Sequence, residues 1–419
     1  MADDLLVLLY GQVVARLQQQ PHQSPTLQYL PDYVRQGSVA LSARLPLQGE
    51  AYAPERALPF LAGLLPESRG ARERWARQLG TDEDDIFAVL AEMGWDCPGA
   101  VQFCRPDQLD LLTGRDTRYE RLTDADIEER LTHLAEDPVS WTMPDEHWSL
   151  GGQQEKFALA RIDDAWHSAH GAGATTHIVK PGIRDLHQQA LVEHATMAAA
   201  RMLGVDVAPT HYQRFGDRWA IVIERFDRAV AADGSIVRIH QEDFCQALGR
   251  MPERKYEDKG GPTLEDMVRT VRQQSSQVGD DLLALADFLV INVVSGAPDG
   301  HSKNLSILRG PHGNLIAPLY DLATALVYDT GRVERKVALS VGGQRLFTRI
   351  YAKQWGRAAR ILALPADLLR ARVHQLASGF PAAYDRALHD LGDAPGVDEV
   401  RDRSVGEVSA HCDRIIARL

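Results

Sequence analysis

The residues with the clearest chemical potential lie in Asp299-Gly300-His301-Ser302-Lys303-Asn304, which sets a carboxylate, an imidazole, an ammonium and an amide in one short turn after an apolar run. Another acid, Asp321, follows in Pro318-Leu319-Tyr320-Asp321. An Asp, four residues, an Asn and a later Asp is the spacing by which phosphotransferases combine a base with two oxygen ligands for a divalent cation. Asp299 is expected to accept or orient the proton of an attacking hydroxyl. Lys303 is expected to neutralise charge building on the transferred phosphoryl group. Asn304 offers a neutral carbonyl, and Asp321 the hard carboxylate that Mg²⁺ prefers. Read only as local structure, the same stretch is an Asx-type turn after a helix, with His301 stabilising it.

A phosphotransferase needs further parts, and each has a candidate upstream. Ser149-Leu150-Gly151-Gly152-Gln153-Gln154-Glu155-Lys156 is a glycine-bearing turn before a strand. Without a Cβ, Gly151 and Gly152 let backbone N–H groups approach phosphates; no Gly-Lys-Ser/Thr follows, so this is not a Walker A loop. Lys180 ends the strand Thr176–Lys180 and can reach the α- and β-phosphates. Glu193, on the helix after it, is a candidate ion-pair partner for Lys180. Glu224 and Phe226 lie where a hinge would present backbone groups and an apolar wall to adenine. Arg225, Asp227 and Arg228 beside them can form ion pairs that hold the junction.

The elements that must position these groups are legible from periodicity. Leu5–Leu9 and Val39–Leu45 carry strand patterns, and Ala57–Leu65, Ala71–Leu79 and Asp82–Glu92 helical ones, the last opened by Thr81-Asp82-Glu83-Asp84. Gly99–Phe103 reads as a strand, and Thr123 as the N-cap of an acidic helix. Phe157–Arg161 and Thr176–Lys180 read as strands around a polar reversal, Asp163–Ala174. A helix is predicted over Gln188–Leu203, with Ala195, Ala198, Ala199 and Met202 on its apolar stripe. His211–Phe215 and Trp219–Glu224 form a hairpin around Gly216-Asp217. From about residue 227 the chain is predicted to be mostly helical: Gln241–Leu248, Thr263–Gln274, Asp280–Val294, Ala352–Ile361, Pro365–Ala377, Phe380–Leu391 and Glu399–Leu419. The strands Leu305–Leu308 and Leu315–Pro318 bridge Asn304 and Asp321.

At 419 residues, two or three domains or lobes are expected. An apolar fraction of 44% permits a sizeable core, and a net charge of -12 argues against coating nucleic acid by bulk positive charge. The acidic start and the short apolar run Leu5–Tyr10 match neither a signal peptide nor a membrane span. Four scattered cysteines favour a reducing, cytoplasmic setting over a disulfide frame or metal site.

With these residues in hand the chain resembles the HipA family, the serine/threonine kinase toxins of bacterial type II toxin–antitoxin modules. The resemblance rests on Gly94–Gln102, Ser149–Lys156, Thr176–Lys180, Glu224–Arg228, Gln241–Gln246, Tyr256–Pro262, Asp299–Asn304 and Pro318–Asp321. It implies an α+β, bilobal protein-kinase-like fold: a small N-terminal α+β subdomain (1–115), a β-rich N-lobe with the glycine-rich loop (116–226) and a mostly helical C-lobe with the catalytic loop (227–419). It implies ATP and Mg²⁺, with Asp299 and Lys303 catalytic, Asn304 and Asp321 on the metal, and Gly151, Gly152, Gln153, Gln154, Lys156, Lys180, Glu224, Phe226, His301 and Tyr320 around the nucleotide. In the family, a serine opening the glycine-rich loop can itself be phosphorylated and switch the kinase off; Ser149 is the matching position. The resemblance also implies a HipB-like helix-turn-helix antitoxin, operator DNA contacted mainly through it, and a protein substrate such as an aminoacyl-tRNA synthetase. A small-molecule phosphotransferase of the aminoglycoside-kinase type and a catalytically silent corepressor remain alternatives.

Overall fold

The apolar run at Leu5–Leu9 becomes the centre of a sheet. In the computed structural model, β1 (Asp3–Leu9) pairs antiparallel with β2 (Gln12–Gln19) on one side, while β3 (Thr26–Tyr29) adds beyond β2 and β4 (Val101–Cys104) closes the other edge of β1. Leu5, Val7 and Leu9 point to one face, as period-two alternation requires, and pack on the helix Pro54–Gly63 through Phe60 and Leu61. The structure describes residues 3–21, 23–80, 82–114, 117–136, 146–329, 331 and 334–419, without the side chains of Gln78 and Leu79. Thr81 of the predicted helix-opening cluster and the side chain of Leu79, which ends the predicted helix Ala71–Leu79, therefore lie outside the described residues.

The chain divides into two compact units, each assembled from separate segments. The first comprises Met1–Pro181, Arg214–Pro252 and Ile307–Gly313; the second comprises Gly182–Gln213, Glu253–Ser306 and Asn314–Leu419. Beyond its N-terminal sheet, the first unit holds β5 (Thr117–Leu122), β6 (Phe157–Ile162), β7 (Ala165–Gly171) and β8 (His177–Lys180). Their order is β5-β7-β6-β8, antiparallel throughout. After β9 (Thr210–Phe215), the turn Gly216–Asp217 leads into β10 (Arg218–Glu224), which lies antiparallel to β8. The helix Asp124–Glu136 covers this sheet with Ile127, Leu131 and Leu134. Thr123 caps it: its hydroxyl accepts from the Asp126 N–H, and the Asp126 carboxylate accepts from the Thr123 N–H at 2.7 Å.

The second unit is largely helical. Leu264–Gln274 starts at a Thr263 capping box, and Val278–Val294 is buried along most of its length. The polar Asn292 is accommodated there because its amide donates to the Phe288 carbonyl at 2.8 Å. The helix Ala366–His389 packs against Gln189–Met202, Val278–Val294, Ala352–Leu362 and Val397–Ile416.

Several expectations need correction. Val39–Leu45 is not a strand. Its backbone groups are met by side chains instead: the Tyr29 hydroxyl accepts from the Leu41 N–H and donates to the Leu45 carbonyl, and Glu242 accepts from the Ala43 N–H. The reversal predicted at Asp163–Ala174 contains β7, whose inward Ser168 is satisfied by Arg130 at 2.7 Å. The helix predicted from Asp82 starts at Ile86, with Asp85 as its cap. The helix predicted at Gln241–Leu248 is a strand, His240–Asp243, followed by a short helix, Phe244–Leu248. Additional strands at Arg228–Val230, Ile236–Arg238, Lys336–Val341 and Gln344–Leu346 interrupt the predicted helical half. The two helices predicted on either side of Ser378–Gly379 are one, running through Pro381. On the helix Gln189–Met202, Met197 is buried and Met202 is half exposed, so Met202 is not on the buried stripe.

Candidate active site

The catalytic-loop candidate is a locked turn at the end of the helix Val278–Val294. The Asn292 carbonyl accepts from the Ala297 N–H, the Asp299 carbonyl from the His301 N–H at 2.7 Å, and the His301 carbonyl from the Asn304 N–H at 2.9 Å. Ser302–Asn304 form a single 3₁₀ turn, and all three residues are buried. The Asn304 side-chain amide donates to the Asp299 carbonyl at 2.9 Å. That bond ties the two ends of the Asp-x4-Asn spacing together. It also commits the nitrogen end of Asn304, so its oxygen is the atom a cation would take. Asp299 presents a largely exposed side chain, 60% accessible, whereas His301 is buried. Burial, with Lys255 and Lys303 nearby, pushes the His301 imidazole down to about 3. His301 is therefore neutral near pH 7, and its 3.9 Å approach to Asp299 is not an ion pair.

Asp321 belongs to the same unit. The preceding Leu319 bridges to Val207, with the Leu319 N–H donating to the Asp206 carbonyl and the Ala208 N–H to the Leu319 carbonyl, both at 2.9 Å. Asp321 itself has φ 53°, the left-handed region that non-glycine residues seldom adopt. Downstream, the Thr324 N–H donates to the Thr196 hydroxyl on the helix that carries Glu193. Glu193 is buried and accepts from Gln189 at 3.0 Å. Tyr320 braces the catalytic turn: its hydroxyl donates to the Lys303 carbonyl at 2.6 Å and lies 2.7 Å from the Ser306 hydroxyl. Asp299, His301, Lys303, Asn304, Tyr320, Asp321 and Glu193 thus share one unit.

A carbonyl and a carboxylate form an all-oxygen donor set suited to Mg²⁺. Among the described residues no group of three or more His, Cys, Asp or Glu could hold a metal ion. An ion at Asn304 and Asp321 would draw its remaining ligands from phosphate oxygens and water, the usual arrangement for Mg²⁺ at nucleotides.

The first unit carries the other candidates. Ser149, Gly151, Gly152, Gln153, Gln154 and Lys156 form a turn seated on the end of the helix Pro54–Gly63. The Ser149 hydroxyl is buried and donates to the Leu64 carbonyl at 2.8 Å. The Glu67 N–H donates to the Gly152 carbonyl at 2.9 Å. Both glycines are needed here. A Cβ on Gly151 would meet the Gly63 carbonyl oxygen at 2.8 Å, and Gly152 has φ +102°. The Lys156 ammonium lies against Gly152, so the turn holds a cation over its own backbone. Lys180 is buried at the end of β8, opposite Ile221 of β10.

Glu224 and Phe226 are half-buried, and the segment around them is anchored by a buried charge network. The Arg225 N–H donates to the Thr176 carbonyl, and its guanidinium reaches Asp227, Thr175 and the Cys97 carbonyl. Arg228 donates to Asp96 at 2.8 Å and Arg238 to the same oxygen at 3.0 Å. The other Asp96 oxygen accepts from the Thr175 N–H and hydroxyl. Burial alone would push the Asp96 carboxyl up, but Arg228, Arg238 and Arg225 outweigh it and hold it well below the usual carboxylate range. The ion pairs expected at Arg225, Asp227 and Arg228 are present. Asp96, which completes them, was not a predicted site residue. Tyr256 was not either: its hydroxyl donates to Asp299 across 43 positions of sequence, a contact with no local signature.

Residues 148–384 match the model of the HipA-like C-terminal domain, and residues 5–104 that of the HipA N-terminal domain. A putative kinase, Y4mE, of Sinorhizobium fredii is 34% identical over 386 residues, covering 91% of each chain. The serine/threonine-protein kinase toxin HipA of Shewanella oneidensis is 28% identical over 405 residues, covering 91% of this chain and 89% of the relative. The solved structure of a Shewanella oneidensis complex of HipA, HipB and operator DNA superposes with a TM-score of 0.84 at 25% identity, covering 99% of this chain and 97% of the other. The matched domains, the relatives and the kinase-like α+β fold together show that the chain belongs to the HipA family of serine/threonine kinase toxins.

Proposed function

We propose that the protein is an ATP- and Mg²⁺-dependent serine/threonine protein kinase acting as the toxin of a toxin–antitoxin module. The observation that carries this reading is the Asn304 amide bound to the Asp299 carbonyl, which holds a base candidate and a cation ligand in one rigid turn. Asp299 orients and accepts the proton of the acceptor hydroxyl. Lys303 offsets negative charge on the phosphoryl group in transfer. When bound, Mg²⁺ supplies charge neutralisation at the phosphate oxygens; Asn304 and Asp321 are the residues that would hold it. The Gly151–Gly152 turn offers backbone donors and Lys156 to phosphates, Lys180 a further cation, and Glu224 to Phe226 an adenine-facing edge. A HipB-like antitoxin, operator DNA reached through it and a translation component such as an aminoacyl-tRNA synthetase are the proposed partners. The HipA–HipB–operator complex of the Shewanella relative supports the first two.

Phosphoproteomics after brief expression of wild type and Asp299→Ala tests the reading. New phosphoserine or phosphothreonine on a protein is expected with the wild type alone. Phosphorylation of a sugar or antibiotic, with no protein modified, would overturn it.

Autophosphorylation at Ser149 is part of the same reading. In the observed conformation this hydroxyl is buried against Leu64, so phosphorylation requires the turn to leave its seat. A dianion there could not return to a site built around a carbonyl acceptor. Mass spectrometry of wild type incubated with MgATP is expected to find phosphoserine at 149 that is missing from Asp299→Ala. An unmodified Ser149 in active protein would refute self-inactivation by this route.

A further inference from the structure

Asp299 stands on a rigid turn, but a backbone anchor does not by itself aim its carboxylate. The side chain is 60% accessible, and rotation about the terminal torsion of an aspartate is soft. Nor does the neighbouring imidazole hold it: His301 Nε2 lies 3.9 Å from Oδ2, beyond hydrogen-bond reach. The hydroxyl of Tyr256 does reach it, donating to Oδ1 at 2.5 Å.

Tyr256 is itself anchored to the loop it serves. The Lys255 carbonyl accepts from the Ser302 hydroxyl at 2.8 Å, tying the chain just before Tyr256 to the catalytic turn. The Tyr256 ring stands edge-on to His301, centroids 5.0 Å apart and planes at 86°. The Tyr256 carbonyl accepts from the Lys259 and Gly261 N–H groups, closing a tight loop. Glu257 then accepts from the N–H and hydroxyl of Ser340, and Asp258 pairs with Arg345. The ammonium groups of Lys255 and Lys259 lie 5.7 and 5.2 Å from the ring centroid. Cations over the ring draw electron density from it and strengthen the phenol as a donor. All of these residues belong to the second unit.

We propose that Tyr256 is a positioning residue for phosphoryl transfer: its hydroxyl fixes the Asp299 carboxylate through Oδ1, so that Oδ2 is presented to the acceptor hydroxyl. The proposal rests on the kinase reading and deepens it. Tyr256 acts through Asp299, so its removal costs turnover while nucleotide affinity is retained. Misorientation of a base by a fraction of an ångström is enough to cost an order of magnitude in rate.

The test is steady-state turnover of MgATP by the full chain as wild type, Tyr256→Phe, Asp299→Ala and the double variant, with thermal midpoints for each. Phenylalanine keeps the ring on His301 and removes only the hydroxyl. Tyr256→Phe is expected to lower kcat about tenfold with KM for ATP within about twofold and an unchanged thermal midpoint. The double variant is expected to be no slower than Asp299→Ala alone, because a positioning role exercised through that carboxylate ends with its removal. A Tyr256→Phe enzyme at the wild-type rate, beside an impaired Asp299→Ala, would overturn this proposal alone. So would a Tyr256→Phe loss of equal size in both backgrounds. A wild type with no turnover would overturn the kinase reading and this proposal with it.

Discussion

Asp299→Ala is expected to reduce phosphoryl transfer by about 10²–10⁴-fold, the range for loss of a positioned general base. The fold should tolerate the change, because the side chain is mostly exposed and its loop is held by backbone bonds and by Asn304. The hydrogen bond from Tyr256 is lost with it, worth about 1 kcal/mol or less at such an exposed position. The informative measurement is kcat at saturating MgATP set against the thermal midpoint. Loss of turnover with a preserved midpoint identifies a chemical role. Equal loss of both would reassign Asp299 to structure, and unchanged turnover would remove Asp299 from the chemistry.

The second large effect concerns stability. Asp96→Ala removes one of the two buried carboxylates among three guanidinium groups, Arg225, Arg228 and Arg238. Breaking a buried pair by deleting one partner typically costs about 3–5 kcal/mol, because the remaining charge stays desolvated. Urea unfolding at pH 7 should show that loss, and Asp96→Asn, which keeps an acceptor, should lose less. The pH dependence has a definite sign. The folded carboxyl sits below its unfolded value of about 3.9. Its contribution is therefore complete above that value and is lost as pH falls toward the folded pKa. The gap between wild type and Asp96→Ala should be flat near neutrality and shrink below about pH 4. A gap that widens in acid would show that another group carries the effect. Because Arg225 and Arg228 flank Glu224 and Phe226, the same variant should also loosen the proposed adenine-facing segment.

Much of this molecule could be read from one-dimensional pattern. The Asp299–Asn304 spacing, the turn between β9 and β10, the Thr123 cap and the apolar faces of the long helices are local properties. Each is set by neighbours within a few positions, through hydrogen-bond rings and side-chain periods that depend on nothing distant. The misreadings share an opposite cause. Val39, Leu41 and Leu45 are buried like strand residues, but the Val39 carbonyl accepts from the Tyr33 hydroxyl, and the Leu41 N–H and Leu45 carbonyl are met by the Tyr29 hydroxyl, not by a neighbouring strand. β7 was hidden because Ser168, at an inward position, is made acceptable by Arg130 from another element. Ser378–Gly379 separated two predicted helices, yet packing on four neighbouring helices carries Ala366–His389 through it.

The site divides along the same line. Residue types and their spacing were enough to nominate Asp299, Asn304 and Asp321, because the chemistry constrains which side chains can serve. Which groups aim them was decided only by tertiary structure. Tyr256 meets Asp299 from 43 positions away, and Asp96 meets Arg228 from 132 positions away. The pairings themselves carry no mark in the chain, since the geometry that makes a phenol an orienting donor, or a carboxylate a counter-ion for three arginines, exists only after folding brings them together.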